Sequence, residues 1–107
     1  MSIDKKWKIQ LKDLNVRKQY FEALKKGLID EEDNRIIKLW YDVIQMYGPE
    51  SLLVEKRWDD HPLDGEWRGY RSSCFSPAGR IIYKIEDNIL TVVVFKITPD
   101  HNYKKGD

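Results

Sequence analysis

The C-terminal half of the chain contains three runs of β-branched and aromatic residues joined by very short links. The runs cover residues 66–74, 80–85 and 89–98, and the links are Ser76-Pro77-Ala78-Gly79 and Glu86-Asp87-Asn88. Runs of this composition favour β-strands. Parallel neighbours need a crossover of a dozen or more residues, so links this short force an antiparallel three-strand meander. Within it, Ile81, Tyr83 and Ile85 should face one side of the sheet and Arg80, Ile82 and Lys84 the other.

The N-terminal half begins with a short strand and continues as two helices. Residues 7–11 alternate apolar and polar side chains, which indicates a half-buried strand. A first helix is predicted from Asn15, capped by Asn15 or Asp13 and stopped by Gly27. A second helix is predicted from Asp30 to Gly48-Pro49, with three acidic residues in its first turn. Residues 57–65 are interpreted as a loop.

Each predicted helix has an apolar stripe that needs a partner surface. The stripes are Val16, Tyr20, Phe21, Leu24 and Leu28 in the first helix, and Ile36, Ile37, Trp40, Val43, Ile44 and Tyr47 in the second. The expected fold class is therefore α+β, with an N-terminal strand and a helical hairpin packed on one face of a mainly antiparallel sheet. At 107 residues the chain, 1–107, should form a single domain.

The net charge of +1 conceals an uneven distribution along the chain. Residues 1–26 carry eight Lys/Arg and three Asp/Glu, residues 27–66 four and eleven, residues 67–84 four and none, and residues 85–107 three and four. The blocks are thus +5, −7, +4 and −1, which sum to +1. The acid-free block lies in the strand region, where a local basic patch can attract phosphate.

Several classes of chemistry are disfavoured. The single cysteine, Cys74, excludes an internal disulfide and fits a reducing cytosol; it is expected to be a buried thiol. There is no phosphate-binding or dinucleotide glycine motif, so no cofactor is expected. Asp59-Asp60-His61 could suggest a metal site, but neighbouring residues seldom converge on one ion without distant ligands. Neither a membrane span nor a secretory signal is expected.

The two histidines, His61 and His101, flank the meander and could meet at one end of the sheet. RNA cleavage by its own 2′-hydroxyl needs a base, an acid and a cation for the phosphate, and histidine can serve as either base or acid near neutral pH. Arg71 and Arg80 on adjacent strands could form a bidentate clamp on that phosphate. Further candidates for stacking on unpaired bases are Trp58, Trp67 and Tyr103.

Three short sequence motifs then suggest a family. They are Asp60-His61-Pro62-Leu63-Asp64-Gly65-Glu66-Trp67-Arg68-Gly69-Tyr70-Arg71, Gly79-Arg80-Ile81-Ile82-Tyr83-Lys84-Ile85 and His101-Asn102-Tyr103. Together they resemble the RelE/ParE superfamily of bacterial type II toxins, especially the YafQ-like and YoeB-like messenger RNA interferases. YafQ-like proteins have a histidine and an aspartate where this chain has Cys74 and Ala78, so the YoeB-like active site is the better match.

The resemblance implies a compact cytoplasmic toxin that cuts messenger RNA in the ribosomal A site without metal. It implies a general base at His61, a transition-state cation at Arg80 and a general acid at His101. Contacts to messenger or ribosomal RNA are implied at Arg68, Arg71, Trp67 and Tyr103. The implied partner is a cognate antitoxin, which would form a toxin–antitoxin hetero-oligomer and cover the basic groove with an acidic segment.

Two other functions remain open for such a chain. ParE-like members of the superfamily inhibit DNA gyrase without the catalytic set, and the helical hairpin would then be the working surface. A degenerate toxin would retain only antitoxin binding. Family membership alone does not decide among these, because function depends on the site and not on the fold.

Overall fold

The computed structural model describes residues 7–97 and contains two α-helices and five strands in that range. In chain order they are β1 Lys8–Leu11, α1 Leu14–Lys25, α2 Glu31–Tyr47, β2 His61–Pro62, β3 Arg71–Ser76, β4 Gly79–Glu86 and β5 Ile89–Ile97. Short 3-10 turns lie at Pro49–Leu53, Lys56–Trp58 and Gly65–Trp67.

The strands form a single mixed sheet in the order β1-β5-β4-β3-β2. The meander of β3, β4 and β5 is antiparallel as predicted, and β2 continues it on one side. β1 is parallel to β5 on the other side, and the two helices follow β1 in the chain before β2. The predicted α+β architecture is therefore confirmed.

Local signals place the helix ends. Asp13 caps α1, with its carboxylate accepting from the amides of Asn15 and Val16, and Asp30 caps α2 through a reciprocal capping box with Asp33. Gly48, at φ +86°, ends α2.

The core lies between the helices and one face of the sheet. Trp40 of α2 and Tyr83 of β4 are both fully buried, and their rings meet edge to face with centroids 5.5 Å apart. Ile81 of β4 belongs to the same core, whereas Ile82 is buried outside it. The predicted division of β4 into two faces is thus confirmed.

Parts of the predicted helix stripes are wrong. Phe21 and Leu28 are about half exposed, and Tyr47 is 74% exposed. The buried side of α1 is centred on Val16 and Ala23, which turns Phe21 outward beneath the guanidinium of Arg17.

The strand predicted over 66–74 also begins later than expected. Gly65 and Gly69 adopt positive φ angles, and the chain makes a 3-10 turn at Gly65–Trp67 before β3 starts at Arg71. The predicted loop at 57–65 conversely contains β2. Trp58, predicted as a base-stacking residue, is 2% exposed and belongs to the core.

None of the helices in the described part of the chain has the length and apolar character needed to span a bilayer.

Candidate active site

The face of the sheet that turns away from the helices collects several predicted site residues. Directly opposed residues in an antiparallel sheet share a face. Because Ser72 opposes both His61 and Ile82, these three lie in one row across β2, β3 and β4. The next row along the strands contains Cys74, Arg80 and Lys96. The face that turns away from the helices is the second face of the sheet, and it is basic, as the absence of acidic residues from 67–84 predicted.

His61 and Arg80 therefore lie on the same face, in neighbouring rows. Two strand spacings and two residues along the strand separate their Cα atoms, which amounts to about 12 Å. A phosphate lying between the two side chains is within their combined reach.

The imidazole of His61 is held in one orientation. Its Nδ1 atom lies 2.7 Å from the backbone carbonyl oxygen of Asp59. A carbonyl can only accept a hydrogen bond, so Nδ1 must carry the proton and donate it. In the neutral ring, Nε2 is then the nitrogen with the lone pair. This is the tautomer that a general base requires at Nε2.

The guanidinium of Arg80 is more enclosed than expected of a phosphate clamp. Its side chain is only 9% exposed, and Nη1 donates to the carbonyl oxygens of Gly79 at 3.2 Å and Ser76 at 3.4 Å. Nη2 lies 3.8 Å from the carboxylate of Asp59. The Asp59 side chain is 64% exposed, so this ion pair is long and lies at the surface. A carboxylate in that position can be displaced by a stronger anion.

Asp59 thus contacts both predicted catalytic residues. Its carbonyl accepts from His61, and its carboxylate faces Arg80. Its backbone is left-handed, with φ 44° and ψ 41°. The sequence pattern suggested Asp59 only as a metal ligand and gave no sign of this role.

Arg71 is not part of this arrangement. Arg71 opposes Tyr83, whereas Cys74 opposes Arg80, and the odd separation of Arg71 from Cys74 puts Arg71 and Arg80 on opposite faces. The prediction that the two arginines form a shared clamp is therefore wrong. Arg71 instead forms an ion pair with Asp60, in which Nε and Nη2 both donate to Oδ1, at 2.8 and 2.7 Å.

The Asp60 carboxylate is the centre of a second cluster that sequence reasoning missed. Its side chain is 1% exposed, and it accepts from Ser73 Oγ at 2.5 Å and from the Tyr83 hydroxyl in addition to Arg71. Burial raises the pKa of Tyr83 above its ordinary value and the Asp60 charge raises it further, so the hydroxyl stays protonated as a donor. Burial alone would lower the pKa of Arg71, but Asp60 outweighs it and the pKa is raised.

Two other predicted contact residues, Trp67 and Arg68, lie at the turn that precedes β3. Trp67 is half-buried, packs edge-on against Tyr70 and lines a cleft of about 330 Å³ together with Lys96. Arg68 is exposed at the end of the same 3-10 turn. His101 and Tyr103 lie outside the described residues, so the roles predicted for them stay predictions.

Cys74 is half-buried next to Arg80 and its thiol lies 2.9 Å from the Ser76 carbonyl oxygen. Among residues 7–97, no three His, Cys, Asp or Glu side chains are arranged so as to hold a metal ion.

Comparison with known proteins gives consistent relatives. No family model matches the chain. The mRNA interferase toxin YafQ of Escherichia coli K12 is 30% identical over 79 residues, which cover 74% of this chain and 83% of YafQ.

Solved structures share the fold. The E. coli DinJ-YafQ toxin-antitoxin complex matches with a TM-score of 0.67 and 24% identity, over 86% of this chain and 92% of that one. The YoeB-YefM complex from Staphylococcus aureus matches with a TM-score of 0.63 and 16% identity, over 86% and 97%. The sequence relationship to YafQ, together with a shared fold over most of both chains, shows that this chain belongs to the YafQ-like and YoeB-like toxins of the RelE superfamily.

Proposed function

We propose that this chain is the toxin of a toxin–antitoxin pair and an endoribonuclease that cuts messenger RNA in the ribosomal A site. The YafQ relative is named an mRNA interferase toxin, and the YafQ and YoeB structures include complexes with the antitoxins DinJ and YefM. On this proposal the protein acts in the cytoplasm, where its messenger and ribosome substrates are.

The observation that carries the proposal is the arrangement of His61 and Arg80 around Asp59. One side chain offers a basic nitrogen, the other a cation, and both lie on one face of the sheet. Base and phosphate-binding cation are the two groups that 2′-hydroxyl attack on a phosphodiester requires.

The proposed reaction needs no metal ion. Nε2 of His61 takes the proton of the 2′-hydroxyl, and the 2′-oxygen forms a bond to phosphorus. Arg80 exchanges Asp59 for the phosphate and stabilises the charge that develops on its oxygens. The bond from phosphorus to the 5′-oxygen then breaks, and His101 gives that oxygen a proton. The products are a 2′,3′-cyclic phosphate and a 5′-hydroxyl end.

Other residues are proposed to bind and not to react. Trp67 and Tyr103 would stack on unpaired bases, and Arg68 would contact the RNA backbone. An acidic segment of the antitoxin would lie on the second face and neutralise Arg80 and Lys96. Arg71 is proposed to act through Asp60 and not on the messenger, because that carboxylate already occupies its guanidinium.

The test is cleavage of a translated message in a purified translation system. Wild-type toxin should generate new 5′-hydroxyl ends that primer extension maps to A-site codons, with EDTA-treated toxin equally active. Arg80→Lys retains the charge but not the two-pronged geometry and should reduce the rate by about 10²-fold or more. His61→Gln should reduce it similarly.

Lys84→Gln is a control for substitution on this face, and it changes the charge more than Arg80→Lys does. It removes a cation from the same strand and face, where Lys84 pairs with exposed Glu86, and should leave the rate within about twofold. Equal rates for wild type, Arg80→Lys and His61→Gln would refute the assigned roles. Growth arrest with intact messages and broken DNA would instead favour the gyrase-inhibitor alternative.

A further inference from the structure

Asp60 carries a buried carboxylate and lies between Asp59 and His61, two residues of the candidate active site. Asp60 follows Asp59, whose carbonyl accepts from His61, and precedes His61 itself. Its side chain points to the helix-covered side of the sheet, where only 1% of it is exposed. Asp59 and His61 belong to the candidate site on the second face, whereas the Asp60 side chain lies in the core. The segment 59–61 therefore joins the core to the site.

The Asp60 carboxylate is held by hydrogen bonds from β3 and β4 and by the positive charge of Arg71. Oδ1 accepts from Nε and Nη2 of Arg71, and Oδ2 accepts from Ser73 and from Tyr83. Ser73 is fully buried on β3 and Tyr83 is fully buried on β4. These donors are rigid because they belong to the packed interior of the sheet.

The segment needs such an anchor. Asp59 adopts the left-handed backbone region, which is uncommon for residues other than glycine, although Asp and Asn adopt it more readily than most. β2 has only two residues, and its pairing with β3 is limited to His61 and Pro62. The backbone pairing of β2 with β3 alone therefore gives little support to the position of the Asp59 carbonyl that His61 contacts.

We propose that Asp60 is a positioning residue that holds the Asp59 carbonyl against Nδ1 of His61 and thereby selects the imidazole tautomer with a basic Nε2. Arg71, Ser73 and Tyr83 are the groups through which the sheet imposes this position. The inference rests on the proposed function for its effect on rate, but the tautomer itself is a property of the protein without substrate.

The test measures the imidazole directly. Protein labelled with nitrogen-15 at histidine is examined by NMR at a pH where the rings are neutral, and His61 is distinguished from His101 with a His101→Gln variant. In the wild type, His61 should show a protonated Nδ1 and an unprotonated Nε2. Asp60→Asn should shift the signals toward the mixture of tautomers that an unrestrained imidazole shows.

Asp64→Asn is the matched control. Asp64 is exposed in the same loop, and its side chain does not cap the turn at 65–67. The substitution makes the same change in net charge and should leave the His61 signals unchanged.

Cleavage supplies the second measurement. Asp60→Asn should lower kcat by about 10- to 100-fold with little change in KM, because the base is misplaced while the binding surface remains. If Asp60→Asn does not fold, Tyr83→Phe removes one donor to the carboxylate while keeping the ring, and a smaller shift in the same direction is expected.

The outcomes separate this inference from the proposed function. If Asp60→Asn and Tyr83→Phe both keep the wild-type tautomer, the positioning role is wrong, whatever the enzyme does. A lost tautomer preference without a change in kcat would show that Asp60 positions the ring but that His61 is not the base. If the wild type cuts no message, the proposed function is wrong, and the NMR result alone decides whether Asp60 positions His61.

Discussion

Replacing Asp59 by asparagine should strengthen binding of the messenger phosphate at Arg80. In the free protein the Asp59 carboxylate lies 3.8 Å from the Arg80 guanidinium, and a substrate phosphate must displace it. Asparagine removes the charge, keeps the backbone carbonyl that His61 contacts, and tolerates the left-handed conformation at φ 44°.

The size of the effect follows from Coulomb's law at the observed distance. Two unit charges 3.8 Å apart interact by about 1 kcal/mol in water and by about 4 kcal/mol at an effective dielectric constant of 20. The Asp59 side chain is 64% exposed and is screened by salt, so the lower value applies. Asp59→Asn should therefore lower the dissociation constant by about fivefold, since about 1.4 kcal/mol corresponds to tenfold.

The assay is binding to ribosomes programmed with a message whose A-site codon carries 2′-deoxynucleotides, which prevents cleavage. Asp64→Asn controls for the change in net charge, because it removes an exposed carboxylate elsewhere in the same loop. In an Arg80→Gln background the gain from Asp59→Asn should disappear, which is the double-mutant criterion for a direct interaction. Equal gains from Asp59→Asn with and without Arg80, or no gain beyond that of Asp64→Asn, would refute the reasoning.

Three further predictions concern stability, measured by urea unfolding. Burial raises the pKa of Tyr41 to about 12, so the free energy of unfolding should fall by on the order of 2 kcal/mol between about pH 10 and pH 12. Tyr41→Phe should remove that fall, and Tyr47→Phe, at an exposed position, is the control. The same pH dependence of the unfolding free energy in the wild type and in Tyr41→Phe would contradict the prediction. Gly79→Ala would put a Cβ atom 2.3 Å from the buried Phe75 ring and should cost about 1–3 kcal/mol, whereas an unchanged midpoint would show that the ring moves freely. Asp30→Ala removes the capping box of α2 and should cost about 1 kcal/mol, and a cost near zero would argue against that cap.

The sequence predicted most of the fold because the signals it uses are local. The caps at Asp13 and Asp30, and Gly48-Pro49 after the second helix, act within one helical turn, so the helix ends were predicted to within a residue or two. Short links fixed the order and direction of the meander for the same reason. The start of β3 was predicted incorrectly because two glycines with positive φ interrupt the chain before it, and nothing in the apolar pattern shows this.

The site was predicted in part. Residue types and family resemblance made His61 and Arg80 candidates, and the two residues lie on one face of the sheet. They did not identify Asp59 or Asp60, because a carboxylate's partner can lie anywhere in the chain. Tyr83, which binds Asp60, is 23 residues away along the sequence. The assignments of His101 and Tyr103 rest on the resemblance alone.

The sequence by itself determined the class of fold, the basic character of one face of the sheet, and the family. Only the tertiary structure decided which arginine can meet a phosphate beside His61. Side chains alternate between faces along a strand, so a shift of register by one residue would exchange the surroundings of Arg71 and Arg80. That register is offset by one residue at the irregularity between Cys74 and Ser76, beside the turn into β4, and the alternation of side chains along the strands does not show this irregularity.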